Sequence, residues 1–360
     1  MSAPTQMKAL FSAEGKTAKV QDTSVPKPTE EEILIKNEAV TLNPTDWKHM
    51  RLMAEPGLIL GCDFAGTVVE TSKTHNTVNK GDKVAGFVHG GKYADRGSFA
   101  EYLKTDARLV VTVPQDVEVE RAASVGVGGY TAAQALFQRL GLNLPSQTAT
   151  ELPQISPESP QVLIWSGSTS VGQWAIQLGR AAGYHVITTA SPKNHAILKK
   201  MGAAEVYDYR DESVPEKISK GHPRLNAALD CISENGTQSL AARSLGSKGG
   251  KVVVLLKPEK EAMELRKEVE IIHTLAYTCL GKPFSYGRAE FKEEQVHADR
   301  DFIIKFANGN QGIFYHLLKN KLITGNRIKV FGQGKLDGIL EGLDQLEKGQ
   351  VSGEKLAFTL

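Results

Sequence analysis

The sequence predicts an α/β fold, a doubly wound parallel sheet joined to a compact β-rich domain, and three observations predict it. Val162-Leu-Ile-Trp-Ser-Gly-Ser-Thr-Ser-Val-Gly172 runs from an apolar strand through a turn of small residues. A helical stretch follows to Gly183, and His185-Val-Ile-Thr-Thr-Ala190 returns to a strand pattern, which makes a βαβ unit. Farther on, Ala227-Ala-Leu-Asp-Cys-Ile232 and Lys251-Val-Val-Val-Leu-Leu256 continue the alternation of strands with helices.

The first 125 or so residues read instead as mostly β. Ile33–Leu42, Gly66–Glu70, Lys83–Val88 and Phe99–Leu103 are strand candidates, with Gly81-Asp82 and Gly90-Gly91 as turns. Ala122 to Leu140 has helical periodicity, and Leu144 to Pro160 is a polar surface loop with four prolines. From Phe302 onward the pattern gives a helix, a strand at Ile328–Phe331, a helix through Leu336 to Lys348, and a strand at Lys355–Leu360 that returns to the first domain.

The small-residue turn varies the G-x-G-x-x-G pattern. Gly167 and Gly172 hold the outer glycine positions, and Thr169 stands at the middle one. A turn that opens onto a helix N-terminus presents unpaired N–H groups and partial positive charge, so it suits a dinucleotide pyrophosphate. Ser168, Thr169 and Ser170 add hydroxyl donors. Sites for NAD carry an acid about 20 residues past the turn to accept from the ribose 2′-OH. Here the second strand runs into Ser191-Pro192-Lys193-Asn194, with no carboxylate, and Tyr209 follows the next short strand. Hydroxyl, cation and amide favour a 2′-phosphate, so the expected cofactor is NADPH.

Composition bounds the rest. A chain of 360 residues with 41% hydrophobic content can bury two cores. The net charge of +2, with lysines scattered among acids, gives no reason to expect nucleic acid. No signal segment and no membrane-spanning apolar run is evident, so the cytoplasm is the expected compartment. Cys62, Cys231 and Cys279 have no paired spacing, which fits reduced thiols, and the nine histidines form no ligand spacing.

Asn43-Pro-Thr-Asp46, Gly61-Cys-Asp-Phe-Ala-Gly-Thr-Val68, Lys80-Gly-Asp-Lys-Val84, Gly97-Ser-Phe-Ala-Glu-Tyr102, Gly129-Tyr-Thr-Ala-Ala133, the cofactor turn and Ser352-Gly-Glu-Lys-Leu356 follow one another in order. By this ordered set the chain resembles the medium-chain dehydrogenase/reductase superfamily over nearly its whole length. Within the superfamily, Ser168-Thr169-Ser170, Ser191-Pro192, Asp208-Tyr209-Arg210, Leu229-Asp-Cys-Ile232 and the proline-rich loop look most like the fungal trans-acting enoyl reductases of the lovastatin-pathway kind and their yeast relatives. The resemblance implies a GroES-like catalytic domain over residues 1–125, completed by 310–360, and a Rossmann cofactor domain over 126–309.

It also implies site residues. Thr45, Asp46, Trp47 and Lys48 are placed beside the nicotinamide and its ribose, with Thr45, Lys48 and Thr131 as catalytic candidates. Val171, Pro192, Leu255, Leu256, Val351 and Ser352 join the cofactor set, and Thr131 with Ala276, Tyr277, Thr278, Cys279 and Leu280 lines the substrate. Two roles stay open for Lys48, a contact to the ribose or a donor toward substrate, and Asp46 is open to being a helix cap. Zinc-dependent members use a Cys, a His-Glu pair and a second Cys, where this chain carries Asn43, Cys62 with Asp63, and Val127. A catalytic zinc needs three protein ligands. No metal is therefore expected, and Cys62 is read as a small buried residue.

These readings imply a zinc-independent NADPH reductase of an activated C=C or C=O in a hydrophobic carbonyl substrate. The alternatives are a carbonyl, aldehyde, ketone or quinone reductase, and an accessory enoyl reductase or NADPH-binding protein that works only with a partner polyketide synthase. Monomer and homodimer are both open.

Overall fold

The computed structural model describes residues 4–156, 158–286 and 289–360, so Pro157 of the proline-rich loop lies outside the described residues. It divides into two compact units, one of residues 1–127, 277–319 and 325–360, the other of residues 128–276 and 320–324.

The second unit holds a six-stranded sheet in the order Glu205–Tyr207, His185–Thr189, Gln161–Trp165, Ala227–Asp230, Gly250–Val254, Val269–His273. Every neighbouring pair is parallel. The chain starts at Gln161–Trp165, winds outward to one edge, then reverses from Ala227–Asp230 to the other. That reversal leaves a crevice outside the C-terminal strand ends, where open parallel sheets bind ligands. Leu163, Ile187, Ala228 and Val252 are fully buried on one face under the helices Val214–Gly221 and Thr237–Ser244. Burial on both faces explains why these strands read as continuous apolar runs.

The first unit is built on a larger sheet in the order Ile328–Gln333, Lys355–Thr359, Glu32–Thr41, Asp63–Glu70, Lys83–Phe87, Val110–Thr112, with Tyr102–Asp106 also paired to Glu32–Thr41. Lys355–Thr359 lies antiparallel to Glu32–Thr41 and parallel to Ile328–Gln333, so the late strand does return to the first sheet. A hairpin of Gln6–Ala13 and Thr17–Ser24, absent from the sequence expectation, packs Met7, Ala9 and Phe11 against Ile59 and Ala100.

Three boundaries differ from expectation. The strand expected at Phe99–Leu103 forms at Tyr102–Asp106, because Ala100 makes a single bridge to Ala9 of the hairpin. The helical run expected from Ala122 is interrupted after Val119–Ala123, since a Cβ on Gly126 would lie 2.2 Å from Asp63 Oδ1. Residues 277–309 lie in the first unit, although the sequence counted them with the cofactor domain. Hydrogen bonds from Asn308 N to Arg108 O (2.8 Å) and from Gly309 N to Val110 O (2.7 Å) lace this segment to the strand Val110–Thr112.

Candidate functional site

In the second unit, strand Gln161–Trp165 ends at Ser166, which takes a positive φ of 67° to turn the chain toward the helix Ser170–Ala181. Gly167 and Gly172 are both required by space. A Cβ on Gly167 would sit 2.1 Å from Thr188 Oγ1, and one on Gly172 would sit 2.6 Å from Ser166 O. The turn is therefore a shallow cradle at a helix N-terminus, which fits a pyrophosphate. Thr169 is the N-cap: its hydroxyl accepts from Gly172 N at 3.0 Å and donates to Ser166 O at 3.0 Å. The structure thus commits the Thr169 hydroxyl to holding the turn, a role the sequence reading had assigned to phosphate contact. Ser168 and Val171 are half-buried beside it.

The far end of the crevice is built by two neighbouring strands. Thr189 pairs with Tyr207, and Ala190 N donates to Tyr207 O at 2.9 Å, so Ser191 and Tyr209 leave the sheet at the same edge. Pro192–Asn194 forms one tight turn, with Asn194 buried and its Nδ2 3.4 Å from Ser191 Oγ. Lys193 is exposed, and Tyr209 is 51% exposed. Leu255 and Leu256 follow the end of Gly250–Val254 on the same side of the sheet, and Thr131 is buried in the helix Tyr130–Ala133.

The first unit gathers a second set of groups. Strand Glu32–Thr41 runs into the short helix Pro44–Lys48, whose first turn has Pro at its start. Asn43 N donates to Asp46 Oδ2 at 2.7 Å, so Asp46 closes the cap reciprocally. Burial, and then the nearby Asp63, push the Asp46 carboxyl up to about 7. Trp47 and Lys48 lie half-buried on the same helix, with the Lys48 ammonium 5.7 Å from the Trp47 ring centroid.

Beside this helix lies a feature the sequence reading missed. Lys355 is 3% exposed, and its Nζ lies 3.0 Å from Asp63 Oδ2 and donates to Asn43 Oδ1 at 2.6 Å. Asp63 is fully buried and also accepts from Thr41 Oγ1 (2.8 Å) and Val127 N (2.7 Å). The positions that would carry zinc ligands are thus tied to an ammonium group. Asn43 and Asp63 hold Lys355, Val127 offers only backbone, and burial pushes the Cys62 thiol well up, so it stays protonated. These residues do not fit a catalytic zinc, which needs three side-chain ligands, because the one carboxylate is paired to an ammonium and Asn43 is bound to the same group. Chelation is expected to leave turnover unchanged, measured by assaying protein dialysed against a strong chelator. Activity lost from stripped protein that circular dichroism shows to be folded, and restored by one equivalent of zinc, would contradict this assignment.

Tyr277 stands at the centre of the remaining groups. Its hydroxyl is 2.8 Å from Thr45 Oγ1 and 3.4 Å from Cys62 Sγ, and its ring stacks on His89 with centroids 3.9 Å apart. Burial, then Cys62, raises the Tyr277 phenol well above its ordinary range. Burial lowers His49 to about 4 and His89 well below its usual value, so both imidazoles are neutral. A cavity of about 190 Å³ opens against this cluster, with Val88, His89, Tyr93, Arg96, Tyr277 and Lys282 among its walls. Of the residues expected to line substrate, the structure places Tyr277 and Leu280 on this cavity. Thr278 instead bonds Asp299 at 2.5 Å, Cys279 is fully buried, and Ala276 belongs to the second unit. Val351 packs into the first unit's core, with Ser352 exposed beside it.

A parallel sheet with a cradle at a helix N-terminus and a separate β-rich unit carrying a part-buried hydroxyl pair are the layout of an oxidoreductase with a nicotinamide cofactor. Residues 29–115 match the profile of the alcohol dehydrogenase GroES-like domain, and residues 170–293 match that of the zinc-binding dehydrogenase. The trans-enoyl reductase ACTTS2 of Alternaria alternata is 37% identical over 95% of this chain and 96% of its own length. The trans-enoyl reductase resD of Aspergillus sclerotiorum is 35% identical over 98% and 99%. Among solved structures, the quinone oxidoreductase of Coxiella burnetii superposes with a TM-score of 0.69 at 26% identity, covering 99% of each chain. The chain belongs to the trans-enoyl reductase family of the medium-chain dehydrogenase/reductase superfamily. Among the described residues no helix is long and apolar enough to cross a membrane.

Proposed function

We propose that this protein is an NADPH-dependent reductase that delivers hydride to the C=C of an enoyl or enone group, without catalytic zinc, and that it works in the cytoplasm. The cofactor assignment rests on one observation, the Gly167–Gly172 cradle at the C-terminal sheet edge with no carboxylate at the end of His185–Thr189. Bound NADPH supplies the hydride. The protein has to hold the dinucleotide, exclude water and place donors where charge develops on the substrate carbonyl oxygen. In the second unit, the helix N-terminus with Ser168 and Ser170 holds the pyrophosphate, and Ser191, Lys193 and Tyr209 take the 2′-phosphate.

In the first unit, the Thr45–Tyr277 hydroxyl pair is the donor set. Its high pKa keeps the Tyr277 phenol protonated through the neutral range, so it is available to hydrogen-bond an enolate oxygen. Val88, His89, Leu109, Tyr277 and Leu280 give the cavity an apolar wall for an acyl chain, and Glu31, Glu32, Arg96, Asp106, Lys282 and Arg300 give it a charged one. The C=C preference is supported by the relatives' name, trans-enoyl reductase.

That name also favours a second reading, in which the substrate arrives on a partner synthase. NADPH oxidation by the purified chain against free enoyl thioesters, enones, aldehydes and quinones separates the two. Fastest turnover is expected with the enoyl thioester. Turnover confined to aldehydes or quinones would overturn the C=C assignment, and activity only on an enoyl group carried by an acyl carrier protein would establish partner dependence.

A further inference from the structure

The fold assembles a set of metal-ligating side chains that no sequence spacing announces, at the N-terminal edge of the parallel sheet. Gln161 pairs with His185, and Glu205 pairs with Ile187, so Gln161, His185, Ile187, Glu205 and Tyr207 share one face of three adjacent strands. The helix Val214–Gly221 buries Val214 and Ile218 on that face and ends at His222. His185 Nε2 lies 2.9 Å from Glu205 Oε1, and His222 Nε2 lies 3.3 Å from the same carboxylate. All three ligand atoms fall within 4.8 Å of one another. Tetrahedral coordination at about 2.0–2.1 Å puts ligand atoms about 3.3 Å apart, so two edges of this triangle already have that scale.

The surroundings hold these groups in place. Tyr207 donates its hydroxyl to Glu205 Oε2 at 2.7 Å. Partial burial works against ionisation of Glu205, but hydrogen bonds from Tyr207 and His185 hold its carboxyl below the ordinary range. Gln161 Nε2 is 3.1 Å from His222 Nδ1, while Gln161 Oε1 is buried with no hydrogen-bond partner. Turning that amide over brings Oε1 onto Nδ1–H and leaves His222 Nε2 bare toward Glu205, the tautomer a metal ligand needs. The side chains are 22% exposed for His185, 35% for Glu205 and 8% for His222, which leaves one side open for a water ligand.

We propose that His185, Glu205 and His222 bind one divalent transition-metal ion, Zn²⁺ above others, as a clamp joining two strands and the helix before His222. Two imidazoles and a carboxylate form a borderline-soft donor set that suits zinc over magnesium or calcium. The site sits at the opposite end of the strands from the cofactor cradle, and it is separate from Asn43, Cys62 and Asp63 of the first unit. It departs from the expectation of a metal-free chain, and it supplies stability rather than a step of hydride transfer. Ions bound only by the folded state raise the melting temperature by mass action.

The test uses the full chain without an affinity tag, stripped by chelation and titrated with Zn²⁺ by calorimetry and with Co²⁺ by visible absorption. One equivalent is expected to bind, with cobalt bands of tetrahedral intensity and a higher melting temperature than the stripped protein. His222→Ala and the near-isosteric Glu205→Gln are each expected to weaken binding at least tenfold, and Cys62→Ser to leave it unchanged. Circular dichroism of the stripped variants checks that each is folded. No saturable binding to wild type, or equal binding by wild type and a folded Glu205→Gln, would overturn the proposal.

Discussion

NADPH is expected to bind at least tenfold more tightly than NADH, and Lys193→Ala to remove most of that difference by weakening NADPH alone. Lys193 is an exposed cation on the turn that follows His185–Thr189, and Ser191 and Tyr209 leave the sheet beside it. A charged contact to phosphate contributes about 1.5–3 kcal/mol, and each 1.4 kcal/mol is about tenfold in affinity. Ser191→Asp is expected to go further and invert the preference, because a carboxylate there repels a 2′-phosphate and accepts from a free 2′-OH. Calorimetric titration of both cofactors against wild type and the two variants gives the result. Equal wild-type affinities, or equal losses for both cofactors on removing Lys193, would place the 2′-phosphate elsewhere.

Lys355→Met is expected to destabilise the first unit by about 3–5 kcal/mol, the cost of leaving a buried carboxylate without its partner. Asp63 is fully buried, and among the described residues the Lys355 ammonium is the cation paired with it in the network of Thr41, Asn43 and Val127. At roughly 2–4 °C per kcal/mol, the melting temperature falls by roughly 6–20 °C. The double variant Asp63→Asn/Lys355→Met is expected to recover a large part of the loss, since replacing both members of a buried pair is far less harmful than removing one. Thermal unfolding followed by circular dichroism checks both. A single variant that melts with wild type would show that the ammonium contributes nothing to the fold.

What could be read from the sequence was local. The strand, turn and helix around Gly167 and Gly172 follow from residues adjacent in the chain, and their glycines are required by the closeness of Thr188 and Ser166. The doubly wound class of the sheet came from the same short-range signals. The parts that were not legible depend on distant partners. Lys355 belongs to a motif the sequence displays, but its burial is decided by Asp63 and Asn43 on other elements. Tyr277 was named among six lining residues, and its packing against Thr45 and His89 singles it out. His185, Glu205 and His222 carry no ligand spacing because a strand register and a helix end bring them together. The segment 277–309 was assigned to the wrong side of a boundary that no glycine or proline marks, its place being set by bonds to Arg108 and Val110.

The position of strand Lys355–Thr359 governs the order in which the protein is assembled as it leaves the ribosome. That strand is inserted between Ile328–Gln333 and Glu32–Thr41, so two sheet interfaces of the first unit wait for the last of these residues to be synthesised. Strand Glu32–Thr41 emerges early, and the edge that takes Lys355–Thr359 stays open until that strand is made. The parallel sheet of the second unit lies within residues 161–273 and forms from contacts of much shorter sequence separation. The cofactor-binding unit is therefore the early product of translation and the hydroxyl-bearing unit the late one. During that interval the backbone groups of Ala39, Val40 and Thr41 that later pair with Lys355–Thr359 have no strand beside them.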